Sequence, residues 1–213
     1  EIKNENDKMA LQAYQSWKQF FKDDYSYIVS LFYGQLSSNI YSLSKKKLST
    51  TYEPQCYLTL PIPENKEEIS IYDCLDLYTS YEKLEGDNKW YDEKQKEYIE
   101  CYKQIKFWKC PDNLIVVFKR FNNQGHKNES HIQFPIQNLD LSRYSIGYGN
   151  HKNMYHLKAI SNHIGGLNSG HYFAYCKHTD KKWYEFNDTQ VSEIDKKILV
   201  SARAYCLFYE KIN

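Results

Sequence analysis

The sequence predicts an α+β fold, a mostly antiparallel sheet built from residues after about 100 with helices from the first part of the chain on its surface. Three observations carry the prediction. Leu11, Tyr14, Trp17 and Phe21 recur at spacings of three and four, which is one apolar stripe of a helix. Alternating runs crowd the second half, at 155–160, 169–175 and 183–187. A polar segment, His178 to Lys182, separates two of those runs and reads as the turn of a β-hairpin.

Taken in order, the first helix runs from Met9 to Phe21. Ser26 can cap a second, short helix through Phe32, and Gly34 can end it. Both helices read as core packing. Gly34 to Ile40 opens a β region, and Thr51 to Leu60 is a second strand-like run closed by Pro61-Ile-Pro63. Ser70 with Asp73 has the form of a capping box. The helix it starts carries Cys74, Leu75, Tyr78 and Tyr81 on one face and runs to about Leu84. Gly86-Asp-Asn is a turn, Tyr102 to Lys109 alternates weakly, and Leu114 to Phe118 is a buried strand. His131 to Phe134 alternates, and the polar, Gly- and Tyr-rich stretch from Ser142 to Asn153 is a loop. Tyr155 to Ile160 alternates again and runs into Ser161-Asn-His163. The hairpin follows, then a short helix near Asp195 to Val200 and a last strand, Arg203 to Tyr209.

Composition narrows the function classes. The chain has 213 residues, of which 41% are hydrophobic and 16% aromatic, so it can bury a core despite a mean hydropathy of -0.76. Its 21 tyrosines can fill that core while their hydroxyls find partners. Lys+Arg 28 against Asp+Glu 27 gives a net charge of +1, without the clustered positive charge of a nucleic-acid footprint. The longest unbroken apolar run, Leu114 to Phe118, is far too short to span a membrane, and no signal peptide is visible. Cys56, Cys74, Cys101, Cys110, Cys176 and Cys206 include no C-x-x-C pair. They read as buried thiols in a reducing compartment, the cytoplasm or nucleus. The chain opens on Glu1 and its first methionine is Met9, so it reads as part of a longer protein.

The hairpin is where chemistry concentrates. A turn centred on Thr179 sets His171 opposite Asn187 and Tyr175 opposite Trp183, all on one side of the sheet. A histidine beside a carboxamide is what a general base needs: one ring nitrogen held, the other open to a proton. A lone strand histidine more often packs than catalyses, and Asn-Asp at a strand end more often turns the chain. Those two features alone leave catalysis the minority reading.

The wording of the segment changes the balance. His163-Ile-Gly-Gly-Leu-Asn-Ser-Gly-His171-Tyr-Phe-Ala-Tyr175, then Trp183, Phe186-Asn187-Asp188 and Val191, resembles the histidine box of the ubiquitin-specific proteases. These are cysteine proteases that cut after the C-terminal glycine of ubiquitin. Trp17, Phe32-Tyr-Gly-Gln-Leu36, Leu58-Thr-Leu-Pro-Ile62 and Leu114-Ile-Val-Val-Phe-Lys-Arg-Phe121 match further family runs in the family's order. The resemblance implies a papain-like cysteine protease fold. Residues 1–33 would be helices at the thumb and palm border, 34–110 mainly the fingers, and 111–213 the palm with the histidine box.

It also implies roles. His171 would be the base and Asn187 its orienter, with Asp188 at a second acidic position that supports the site or merely ends the strand. Gly170 would keep the approach to His171 open for a bound backbone. The loop Ile164 to Ser169 matches the blocking loop over the ubiquitin tail, which makes Gly165, Gly166, Ser169, Gly170 and Tyr172 candidate substrate contacts. An ordinary hairpin connection explains any single residue of that loop equally well. No cofactor is implied.

Two departures stand out. The family's nucleophile lies in a Gly-Asn-Thr-Cys type motif in the N-terminal thumb, and no cysteine here has that context. The chain alone is therefore expected to be inactive, its thiol arriving from an upstream thumb segment. Many family members also carry two C-x-x-C pairs at the fingertips. Ser42 with Lys45 and Asp92 with Gln95 stand there instead, so no zinc is expected. The fingers would hold by packing, with Tyr41, Trp90 and Tyr91 as fillers. The partner is expected to be ubiquitin, its conjugates or a ubiquitin-like modifier. The alternatives are an inactive ubiquitin-binding relative and a scaffold unrelated to ubiquitin.

Overall fold

The computed structural model describes residues 2–64, 66–148 and 152–212. Its elements in order are α1 (Glu5–Phe20), α2 (Tyr27–Phe32), β1 (Gly34–Tyr41), β2 (Lys47–Gln55), β3 (Leu58–Leu60), β4 (Ile69–Ser70), α3 (Ile71–Tyr78) and β5 (Tyr81–Leu84). Then come β6 (Trp90–Asp92), β7 (Glu97–Ile99), β8 (Cys101–Lys109), β9 (Asn113–Phe118), β10 (Ile132–Gln133) and β11 (Leu139–Asp140). The chain ends on β12 (Met154–Gly165), β13 (Gly170–Lys177), β14 (Trp183–Asn187), β15 (Gln190–Ile194) and β16 (Ala204–Lys211).

An eight-stranded sheet, ordered β15-β14-β13-β12-β16-β9-β3 with β11 on β12, forms the base. All its pairs are antiparallel except β3 with β9. A second, four-stranded antiparallel sheet is ordered β2-β1-β8-β5. The fold is α+β and mostly antiparallel. The strict alternation of β9 explains its central place: Leu114, Val116 and Phe118 are buried, with half-buried residues between them. They pack with Leu58, Leu60, Leu157, Ile160 and Leu207 in the main core. No helix of the described residues is long and apolar enough to cross a membrane.

Four sequence readings differ in the structure. Thr51 to Leu60 is not one strand. Pro54, which has no N–H, lies on the edge strand β2, and the chain then bends at Cys56 and Tyr57 to join the other sheet as β3. The helix begun by Ser70 stops at Tyr78 instead of reaching Leu84. Its capping box is present, with Ser70 and Asp73 exchanging side-chain and backbone bonds. The hydroxyls of Thr79 and Ser80 then take the carbonyls of Leu75 and Leu77, both at 2.8 Å, and close the helix. Tyr81 to Leu84 leaves to pair with β8.

The stripe of α1 is also turned. Leu11 and Tyr14 are exposed, while Ala13 is fully buried, Ser16 and Trp17 are half-buried and Phe21 is buried. The small Ala13 lets the helix close on the four-stranded sheet: the Gln35 amide donates to its carbonyl at 2.9 Å, and the Ser16 hydroxyl donates to the Tyr52 carbonyl at 2.6 Å. So α1 rests on the smaller sheet. Nor is Gly34 a helix cap. α2 ends on Tyr33 in extended backbone, and a Cβ at Gly34 would lie 2.5 Å from the Lys109 carbonyl.

Candidate active site

The hairpin β13–β14 forms, with its register displaced. Tyr175 faces Glu185 and Lys177 faces Trp183, so the turn centres on Asp180 and Trp183 is not the partner of Tyr175. A displacement by two residues preserves which side chains share a face, because strand side chains alternate with a period of two. His171 and Asn187 therefore remain on one face, as diagonal neighbours. His171 Nε2 lies 2.6 Å from Asn187 Oδ1. A carboxamide oxygen can only accept, so Nε2 carries the proton and Nδ1 carries the lone pair of the neutral ring. Nδ1 has no hydrogen bond among the described residues. Phe173 stacks on the imidazole at a ring separation of 6.4 Å and 18°.

The far end of the Asn187 amide, Nδ2, donates to Glu185 Oε1 at 3.4 Å. Asp188 takes the second of the two roles left open for it, ending the strand. It is exposed, has φ 51, and forms with Thr189 the turn that brings Asn187 opposite Gln190. No hydrogen bond joins its side chain to His171 or Asn187. Of the three residues assigned to catalysis, two meet and Asp188 shapes the strand end.

The loop between β12 and β13 closes over a Gly165–Gly170 pair. Gly165 has φ +94, and a Cβ there would meet the Ser169 carbonyl at 2.5 Å, so glycine is required by the backbone. Gly166, Ser169, Gly170 and Tyr172 line one cleft of about 240 Å³, with Phe121, His163 and Tyr205. Gly165 is not in its wall. At Gly170 the structure shows a steric demand that the sequence did not signal. A Cβ on it would lie 2.3 Å from His163 Nε2 and 2.8 Å from the Ile164 carbonyl, so the clash is with the protein's own ring.

His163 received no role from the sequence. It is 4% exposed, lies against Tyr172 at a ring separation of 4.5 Å with the planes tilted by 35°, and faces Phe121 and Tyr205. Burial holds its pKa below the usual imidazole range, helped by the nearby Lys127 cation, whose Nζ donates to the His163 carbonyl at 2.9 Å. Arg120 is a buried cation, 1% exposed, held by the carbonyls of Ala204, Asn128 and Ser130. Its only sequence signal was a basic residue inside an apolar strand end.

None of the six cysteines is paired. Burial pushes the thiols of Cys74 and Cys206 up to about 11 and raises those of Cys101, Cys110 and Cys176. A raised pKa disfavours the thiolate that a nucleophile needs. Cys176 is also one residue out of phase with His171 and so lies on the opposite face.

The fingertip positions do not fit a tetrahedral metal. Lys45 Nζ sits 3.6 Å from the Tyr81 ring centre and 3.7 Å from that of Tyr102, placing a cation where a ligand would be needed. The Asp92 carboxylate accepts from the Lys94 N–H and the Gln95 amide. No group of three or more His, Cys, Asp or Glu among the described residues could hold an ion. Tyr41 packs on Tyr81 at 5.4 Å. Tyr91 is exposed against Tyr98 and fills nothing.

This geometry has close relatives. A family model described as "Ubiquitin carboxyl-terminal hydrolase" matches residues 3–209. A probable ubiquitin carboxyl-terminal hydrolase of Acanthamoeba polyphaga mimivirus is 33% identical over 212 residues, covering 95% of this chain and 45% of that protein. Ubiquitin carboxyl-terminal hydrolase 2 of Gallus gallus is 35% identical over 201 residues, covering 92% of this chain and 56% of that protein. Among solved structures, the SAGA DUB module bound to ubiquitin aldehyde aligns with a TM-score of 0.76 and 28% identity, over 96% of this chain and 48% of the other. The module bound to monoubiquitin gives 0.76 and 29%, over 96% and 47%. The chain spans about half the length of the relatives it matches. With the imidazole–carboxamide pair on one face of an antiparallel sheet and a family match over nearly every residue, this chain belongs to the ubiquitin carboxyl-terminal hydrolase family.

Proposed function

We propose that this chain is the histidine-bearing part of a cysteine-dependent deubiquitinase that cleaves the bond after the C-terminal glycine of ubiquitin. The nucleophilic thiol comes from a thumb segment outside these 213 residues: Cys176 lies on the face opposite His171, and no hydrogen bond joins any cysteine of these residues to the His171 ring. The observation that carries the reading is the 2.6 Å contact of His171 Nε2 with Asn187 Oδ1, which leaves Nδ1 open. In the reaction Nδ1 takes the thiol proton, the sulfur adds to the glycine carbonyl, and the carbon–nitrogen bond breaks as the imidazolium returns its proton to the leaving amine. Water then releases ubiquitin from the thioester. The cleft beside Tyr172 and the Ile164–Ser169 loop receive the ubiquitin tail; the neighbours solved with ubiquitin aldehyde and monoubiquitin support that partner.

An electrophilic ubiquitin probe tests the reading. The full-length protein should be labelled and the 213-residue chain should not. H171A in the full-length protein should lower hydrolysis by about a thousandfold. A full-length protein that binds ubiquitin but stays unlabelled would instead be an inactive ubiquitin-binding relative.

A further inference from the structure

We propose that Glu185 is a positioning residue that keeps the Asn187 amide the right way round, an inference that rests on the functional reading above. A carboxamide has two ends of nearly equal size, and only one serves here. With Oδ1 toward His171, Nε2 holds the ring proton and Nδ1 is open to a thiol. With the amide reversed, Nδ2 would donate to Nε2 and drive the ring proton onto Nδ1, the atom that must accept. A carboxylate at position 187 would have no wrong orientation; an asparagine has one.

Glu185 resolves the ambiguity. It precedes Asn187 by two residues on β14, so both side chains share the His171 face. Its Oε1 accepts from Asn187 Nδ2 at 3.4 Å, and an ionised carboxylate can only accept. Of the two amide ends, only the nitrogen can point toward it, which turns the oxygen to the imidazole. The carboxylate is itself flanked. Tyr175 stands directly opposite Glu185 in the ladder, and the Tyr175 hydroxyl interacts with Arg203. Tyr175, Glu185, Asn187 and His171 thus share one face of the sheet, with the base at its end.

A double-mutant cycle on the full-length protein tests this by steady-state hydrolysis of a ubiquitin C-terminal amide. E185A should lower kcat about tenfold while KM stays within about twofold, because orientation acts on the base and not on binding. E185Q can turn either its oxygen or its NH2 toward Asn187 and should lose part of kcat, falling between the parent and E185A. In the N187D background, where neither end of the side chain is wrong, E185A should change kcat by less than about twofold. The proposal is overturned if E185A costs nothing beside Asn187, if it costs the same factor in both backgrounds, or if E185Q keeps the full kcat of the parent. Hydrolysis that survives H171A overturns the functional reading instead, whatever the Glu185 variants do.

Discussion

Two glycines four residues apart illustrate how differently one residue type can be used. At Gly170 a methyl group would press on the His163 ring and the Ile164 backbone. Gly170→Ala should cost about 1–3 kcal/mol in a urea midpoint and impair hydrolysis as well, since His171 follows directly. At Gly166 a Cβ meets nothing within 4 Å, so Gly166→Ala should stay within about 0.5 kcal/mol. If the two variants melt alike, the fit of Gly170 against His163 is wrong. Thiols give a second residue-scale test. The thiolate is the reactive form, and burial raises the pKa at Cys74, Cys101, Cys110, Cys176 and Cys206. Iodoacetamide on the native chain should therefore modify the half-exposed Cys56 first, as read by mass spectrometry of peptides.

At the scale of elements, α3 depends on its cap. Ser70→Ala should cost about 1 kcal/mol by removing the acceptor for the Asp73 N–H. Asp73 adds a pH signature. Hydrogen bonds from Lys66 and from Ser70 hold its carboxyl down to about 2. A carboxyl depressed on folding stabilises the native state above its unfolded pKa of about 4 and loses that contribution as pH falls toward 2. Asp73→Asn should thus destabilise at pH 7 and match the parent chain near pH 2, measured by denaturation at both values. An equal loss at both would assign the effect to packing. The β13–β14 hairpin teaches something else about elements. Its turn centre lay one residue away from the position expected, yet the His171–Asn187 contact survived, because a two-residue slip keeps parity. A slip by one would have separated them.

For the whole molecule, the smaller sheet raises the question of what rigidifies its tip. Lys45, at φ 64 in a tight turn between β1 and β2, reaches across to the rings of Tyr81 on β5 and Tyr102 on β8. One ammonium thus ties the sheet's first hairpin to its far edge. Lys45→Met keeps the stem and removes the charge, and should lower stability by about 1 kcal/mol. Treatment with EDTA should leave Tm unmoved, and a drop on chelation would mean a metal contributes to the fold.

Much of this protein follows from local chemistry alone. An unbroken apolar run marked β9, side-chain alternation marked β13 and β14, the Ser70–Asp73 pair marked the start of α3, and the spacing around the hairpin put an imidazole and an amide on one face. Such patterns are legible because they depend on neighbours a few residues away. What the folded chain alone decided depends on distant strands. β8 drew Tyr81 to Leu84 out of a helical pattern, the four-stranded sheet chose Ala13 over Leu11 as the buried side of α1, and His163 set the size of residue 170. Each of those outcomes is a competition between local preference and packing, and its result is fixed by which surface arrives from elsewhere in the chain.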